Sequence, residues 1–123
     1  MSLTTQVFGP PGYRRWWIYY IVNDTDQLSK ALNRPDHLVV FMFSAEWNEP
    51  CKAMKKPFRD MARARKMQAV FCLVDIDKLK DAVAQQFQVE ALPTFVLYKN
   101  GIQKERVVGA KVDDLRAAID RNI

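Results

Sequence analysis

The chain has 123 residues, a length typical of one domain that buries a substantial core without cross-links. Hydrophobic residues make up 49% and charged residues 27% of the sequence, which excludes a disordered chain and is typical of a soluble globular protein. Two cysteines are too few for a disulfide framework, and the formal charge is +5.

The N-terminal residues show no hydrophobic periodicity. Residues 1–15 hold two prolines and two glycines, so we predict an extended arm followed by a domain over residues 16–123. The apolar run 16–22 predicts a first strand and is too short to cross a bilayer. We expect no signal peptide and a cytoplasmic location; the absence of acidic residues before Asp24 leaves organelle targeting as an alternative.

Hydrophobic patterning then predicts alternating helices and strands. Two nearly continuous apolar runs are typical of strands buried on both faces of a sheet. The dipeptide Asn100-Gly101 predicts a hairpin turn between two further strands. After the first strand, the predicted elements are a helix from Asp24 to Asn33, a strand at 37–45, a helix at 49–66, a strand at 69–76, a helix at 79–87, the hairpin strands at 94–99 and 102–108, and a closing helix at 112–123.

The excess positive charge lies on the second predicted helix. The segment from Glu49 to Lys66 holds seven basic and two acidic residues, so the rest of the chain is neutral overall. A charge run of this kind is usually the solvated face of an amphipathic helix, which is what we expect here. The alternative is a surface at Lys52–Lys66 for an acidic partner. We do not expect nucleic acid or a membrane as a partner.

Four separated motifs resemble the thioredoxin family over roughly residues 17–122. The resemblance implies an α/β fold, the thioredoxin fold, with a central five-stranded mixed sheet and helices on both faces. It also implies that Pro93 is preceded by a cis peptide bond. The motifs are FSAEWNEPCK (43–52), VDID (74–77), ALPTFVLYKNG (91–101) and VVGA (107–110).

The chain departs from this family at the residue that performs its chemistry. The family motif W-C-G-P-C reads Trp47-Asn48-Glu49-Pro50-Cys51 here. In the family the first cysteine attacks a substrate disulfide and the second resolves the mixed disulfide. Asn48 stands at the attacking position and cannot act as that nucleophile, but asparagine is a good helix N-cap.

Two further positions agree with a loss of catalysis. By resemblance, the family's buried acid corresponds to Met42, and a neighbouring lysine corresponds to Leu73. Buried ionisable groups are costly and are kept where function needs them, so apolar replacements suit a protein that no longer moves protons. We expect Cys72, in the middle of its strand, to point away from Cys51 and to form no disulfide with it.

We therefore predict a redox-inactive protein-binding or adaptor module without metal or cofactor. Its partner site would be the family's substrate-docking groove, which by resemblance is formed by Trp47, Pro50, Leu92, Pro93, Thr94 and Gly109. One alternative is a monothiol exchange protein acting through Cys51, although a shielded packing role for this thiol is favoured. Another alternative is a thioredoxin-like subunit of an RNA-processing assembly, which only the basic helix supports.

Overall fold

The structure, a computed structural model, describes residues 19–123 apart from the side chains of residues 80, 82 and 84. The predicted arm 1–15 and the first three residues of the predicted strand 16–22 lie outside the described residues. The strands are β1 (Tyr20–Val22), β2 (Leu38–Ser44), β3 (Ala69–Asp75), β4 (Thr94–Lys99) and β5 (Ile102–Val108). The helices are α1 (Thr25–Leu32), α2 (Glu49–Ala64), α3 (Ile76–Gln86) and α4 (Val112–Asn122).

The five strands form one mixed sheet in the order β1-β3-β2-β4-β5. The pairs β1–β3 and β2–β3 are parallel, and β2–β4 and β4–β5 are antiparallel. The central strand β2 is buried at every position, which explains its continuous apolar sequence. The predicted order of elements and the mixed five-stranded sheet are confirmed.

Helices cover both faces of this sheet and enclose two cores. On one face, α2 and α4 pack on the side chains of Leu38, Val40 and Met42 from β2. On the other face, α1 and α3 pack on the alternate residues Phe41 and Phe43. This arrangement follows from the period of two along a strand, which directs successive side chains to opposite faces.

Helix α3 begins earlier than predicted. The sequence predicts a helix from Leu79, but the first turn forms at Ile76, because the Asp75 side chain accepts a hydrogen bond from the Asp77 backbone N–H at 2.9 Å. Leu79 then has non-helical backbone angles (φ −121°, ψ 26°), so a short first helical segment and the main part of α3 meet there at a kink. The extra turn places Asp77 near the start of α2.

The hairpin turn forms as predicted. Asn100 and Gly101 have φ values of 54° and 78°, the left-handed conformation that a two-residue turn of type I′ requires at both positions. Across residues 19–123, no helix combines the length and the apolar character that spanning a membrane would require.

Candidate functional site

Three chain segments meet at one end of the sheet. The strand register pairs Phe43 with Thr94 and Thr94 with Val108 across the neighbouring strands. The loop after β2, the segment before β4 and the segment after β5 therefore leave the sheet side by side. These segments carry the residues that the sequence assigns to the docking groove and to the helix start.

Asn48 is the N-cap of α2, as predicted. Its side-chain oxygen accepts a hydrogen bond from the backbone N–H of Cys51 at 3.0 Å, and its own backbone is extended (φ −93°, ψ 118°). The side chain therefore satisfies a first-turn amide that would otherwise lack a partner within the helix. An amide in this position cannot attack a disulfide.

Cys51 lies one turn further along α2 and is fully buried. Its side chain is 0% exposed and packs in the core between the sheet, α2 and α4. Burial raises the pKa of the Cys51 thiol, while a hydrogen bond with the Ala45 backbone and the positive charge of Lys55 oppose the shift. The thiol is therefore protonated near neutral pH, the form that is a poor nucleophile.

Cys72 lies in the opposite core, on the face of the sheet that α1 and α3 cover. Burial raises the pKa of the Cys72 thiol to about 12, so this thiol stays protonated at physiological pH. Both cysteines are free, and the sheet separates them. Cys72 points away from Cys51, as predicted; that no disulfide joins them stays a prediction, which this placement favours.

The two apolar replacements lie on the Cys51 side of the sheet. Met42 and Leu73 are register partners on β2 and β3. Met42 is fully buried in the same core as Cys51, and the partly buried Leu73 packs against that core. The described surroundings of Cys51 therefore contain thioether and aliphatic groups where the family resemblance implies a carboxyl and an amine.

Trp47 is the largest exposed apolar side chain next to the helix start, with 64% of its surface accessible. Its indole Nε1 donates a hydrogen bond to Oδ2 of Asp77 at 3.0 Å. This bond fixes one edge of the ring and leaves the rest open to solvent. Sequence analysis did not assign Asp77 to the site, although the motif VDID (74–77) contains it.

The peptide bond between Leu92 and Pro93 is cis, as the resemblance implies. Gly109 has φ +99° and donates its backbone N–H to the Pro93 carbonyl at 2.8 Å, which joins the two segments directly. Thr94 is only 1% exposed, and its hydroxyl donates to the Ala91 carbonyl at 2.6 Å. The Thr94 side chain therefore holds the loop and is not accessible to a partner.

The accessible apolar surface at this end differs from the predicted set. Trp47 and Pro50 are exposed, Leu92 is half-buried and Pro93 is buried. Val108, which the sequence did not assign, is 42% exposed beside Gly109. The sequence could have indicated this exposed valine. Val107 and Val108 are adjacent strand residues, so their side chains point to opposite faces and one of them points away from the core.

Comparisons with known proteins agree with this geometry. The thioredoxin family model matches residues 20–121. Thioredoxin H2-2 of Oryza sativa subsp. japonica is 47% identical over 95 residues, which cover 77% of this chain and 69% of that protein. Thioredoxin H3 of Arabidopsis thaliana is 37% identical over 103 residues, covering 84% of this chain and 86% of that protein.

Solved structures show the same fold. A crystal structure of a thioredoxin from Nicotiana alata superposes with a TM-score of 0.78 at 36% identity, covering 85% of this chain and 91% of that one. The X-ray structure of Fasciola hepatica thioredoxin gives a TM-score of 0.79 at 31% identity, covering 84% of this chain and 98% of that one. The chain therefore belongs to the thioredoxin family.

Proposed function

We propose that the protein is a redox-inactive, protein-binding member of the thioredoxin family. One observation carries the proposal: the helix position of the attacking thiol is occupied by Asn48, whose side chain caps α2. Thiol–disulfide exchange begins with a thiolate at this position, and an amide offers no comparable nucleophile.

The properties of Cys51, the remaining cysteine of the motif, also support a redox-inactive protein. Cys51 has no exposed surface, and its raised pKa favours the protonated form. A monothiol exchange protein needs an accessible thiolate, so these properties count against that alternative. The cytoplasm is the location that we propose, since two free thiols suit a reducing compartment.

The proposed binding surface is the docking groove at the end of the sheet. Trp47 and Pro50 offer exposed apolar surface there, and Val108 adds exposed apolar surface beside Gly109. The indole is held by Asp77, so little side-chain entropy is lost when a partner packs on the ring. An aromatic anchor of this kind is a common centre of protein–protein recognition.

A turnover assay tests the loss of catalysis. We expect the protein to reduce insulin disulfides with dithiothreitol no faster than its Cys51→Ser variant, because neither has an attacking thiol. The uncatalysed reaction with dithiothreitol alone sets the baseline. Multi-turnover activity that disappears in Cys51→Ser would contradict the proposal and support the monothiol alternative.

A capture experiment tests the groove. Partners recovered on the wild-type protein from its native source should be lost with Trp47→Ala, which removes the exposed ring. Ile102→Ala is the matched control, because Ile102 is 61% exposed on β5, away from the helix start. Equal loss with both variants, or none with Trp47→Ala, would place the partner site elsewhere.

A further inference from the structure

A cleft of about 350 Å³ lies on the α2 face of the sheet, between α2 and the edge strand β1 with its neighbour β3. Ile21 and Leu73, both partly buried, provide apolar surface in it, and the almost fully buried Tyr19 borders it. Two acidic side chains, Glu46 and Asp75, lie on its wall. Five cationic side chains also line it: Lys52, Lys55, Lys56, Arg59 and Lys78.

The positive charge of this cleft is only partly balanced. Lys52 and Lys56 each pair with a carboxylate of their own helix, at 2.9 and 3.0 Å. Such exposed pairs within a helix are weak and exchange readily for a better partner. Lys55 and Arg59 form no salt bridge with any residue in the range 19–123. The cleft therefore presents an excess of positive charge beside an apolar surface.

We propose that this cleft binds an acidic segment of a partner protein in which acidic and apolar side chains alternate. The cationic row from Lys52 to Arg59 spans eight residues of helix, or about 10 Å at a rise of about 1.5 Å per residue. An extended peptide covers the same distance in about three residues and directs alternate side chains to opposite sides. Its carboxylates can then follow α2 while an apolar side chain contacts Ile21 and Leu73.

Two features favour a protein segment over nucleic acid. Binding of single strands relies on accessible aromatic rings for base stacking, but Tyr19 is 4% exposed and its ring packs against Phe58 with centroids 5.6 Å apart. Glu46 and Asp75 would also repel a continuous phosphate backbone. An acidic peptide needs no aromatic ring for stacking, and if its acidic and apolar side chains alternate, the uncharged ones can face Glu46 and Asp75.

The N-terminal segment of the chain lacks the acidic residues that the proposed cleft would bind. Residues 1–18 contain no aspartate or glutamate and include two arginines. Charge complementarity therefore points to a separate acidic partner. The inference is independent of the docking groove, because the cationic residues are not part of that surface.

Fluorescence anisotropy with a labelled peptide, Gly-Glu-Leu-Glu-Leu-Glu-Gly, tests the proposal on the full chain. The double reversal Lys55→Glu/Arg59→Glu should weaken binding by about tenfold or more, because it changes the local charge by four units. The matched control Arg63→Glu/Lys66→Glu makes the same change in net charge on exposed residues that do not line the cleft. It should weaken binding less than about threefold, since distant charges are screened by salt.

Peptide and groove controls complete the test. Replacing the leucines of the probe by serine should also weaken binding, and Trp47→Ala should leave it unchanged. The proposal is overturned if the peptide does not bind, if both double reversals weaken it equally, or if the serine probe binds as well. Loss of binding with Trp47→Ala alone would assign the peptide to the groove. Tighter binding of an oligouridylate that depends on Lys55 and Arg59 would assign the cleft to RNA.

Discussion

The side-chain oxygen of Asn48 lies 3.0 Å from the backbone nitrogen of Cys51 and accepts its hydrogen bond. The bond closes the first turn of α2 where the resemblance to catalytic thioredoxins implies an attacking thiol. In this chain the position holds a helix cap, and the five-stranded sheet with helices on both faces is present around it.

Removing the cap should destabilise the fold. Asn48→Ala leaves the Cys51 N–H without its side-chain acceptor, so we expect the free energy of unfolding to fall by about 1 kcal/mol. Asn48→Asp keeps an acceptor at the positive end of the helix and should be close to wild type. Urea unfolding followed by circular dichroism measures both variants. Equal stability of Asn48→Ala and wild type would show that the cap is unimportant.

Restoring the motif should restore the disulfide but not the activity. In Asn48→Cys/Glu49→Gly, the new thiol stands at the N-cap, one turn from Cys51, so we expect an intramolecular disulfide after mild oxidation. Because Met42 and Leu73 remain apolar, reduction of insulin should stay slow. Mass spectrometry of alkylated samples detects the disulfide, and the insulin assay measures the rate. Rapid turnover would show that apolar groups at these two positions do not limit catalysis.

Neither native thiol should react readily with alkylating agents. Cys51 and Cys72 are both 0% exposed, and burial raises both pKa values. We therefore expect iodoacetamide at pH 8 to modify each at least about tenfold more slowly in the folded protein than in denaturant. Peptide mapping assigns the rates separately. A rapid native reaction confined to Cys51 would favour the monothiol alternative.

Stability should decline at alkaline pH because of Cys72. Burial raises its pKa from 9.0 to about 12, so above pH 9 the unfolded chain releases a proton that the folded chain retains. The unfolded state is then favoured as pH rises, by up to about 1.4 kcal/mol per pH unit from this group. Cys72→Ala should lower stability overall but show a shallower slope between pH 9 and pH 11. Identical slopes in urea unfolding would contradict this assignment.

Much of the fold could be predicted from local signals. The continuous apolar run of β2 indicates a strand buried on both faces, and the structure confirms it. Asn100-Gly101 indicates a turn with two positive φ angles, because few other dipeptides adopt this conformation without strain. The cap at Asn48 was also predictable, because it depends only on groups within one helical turn.

Other features depend on residues far apart in the chain. The hydrogen bond from Trp47 to Asp77 joins residues thirty positions apart and requires the early turn of α3. The burial of Thr94 and the exposure of Val108 follow from strand pairing and from which face the helices cover. The pattern of one segment alone does not contain this information.

The amino-acid sequence by itself determined the family, the order of elements and the absence of the attacking cysteine, because these are properties of residue type and spacing. Only the tertiary structure decided that Cys51 is inaccessible and that the basic face of α2 borders a cleft. Charge on a helix is visible in sequence, but a cleft exists only where Leu73, Ile21 and that helix are brought together. Such contacts are set by the packing of helix on sheet, which brings distant segments within interaction range.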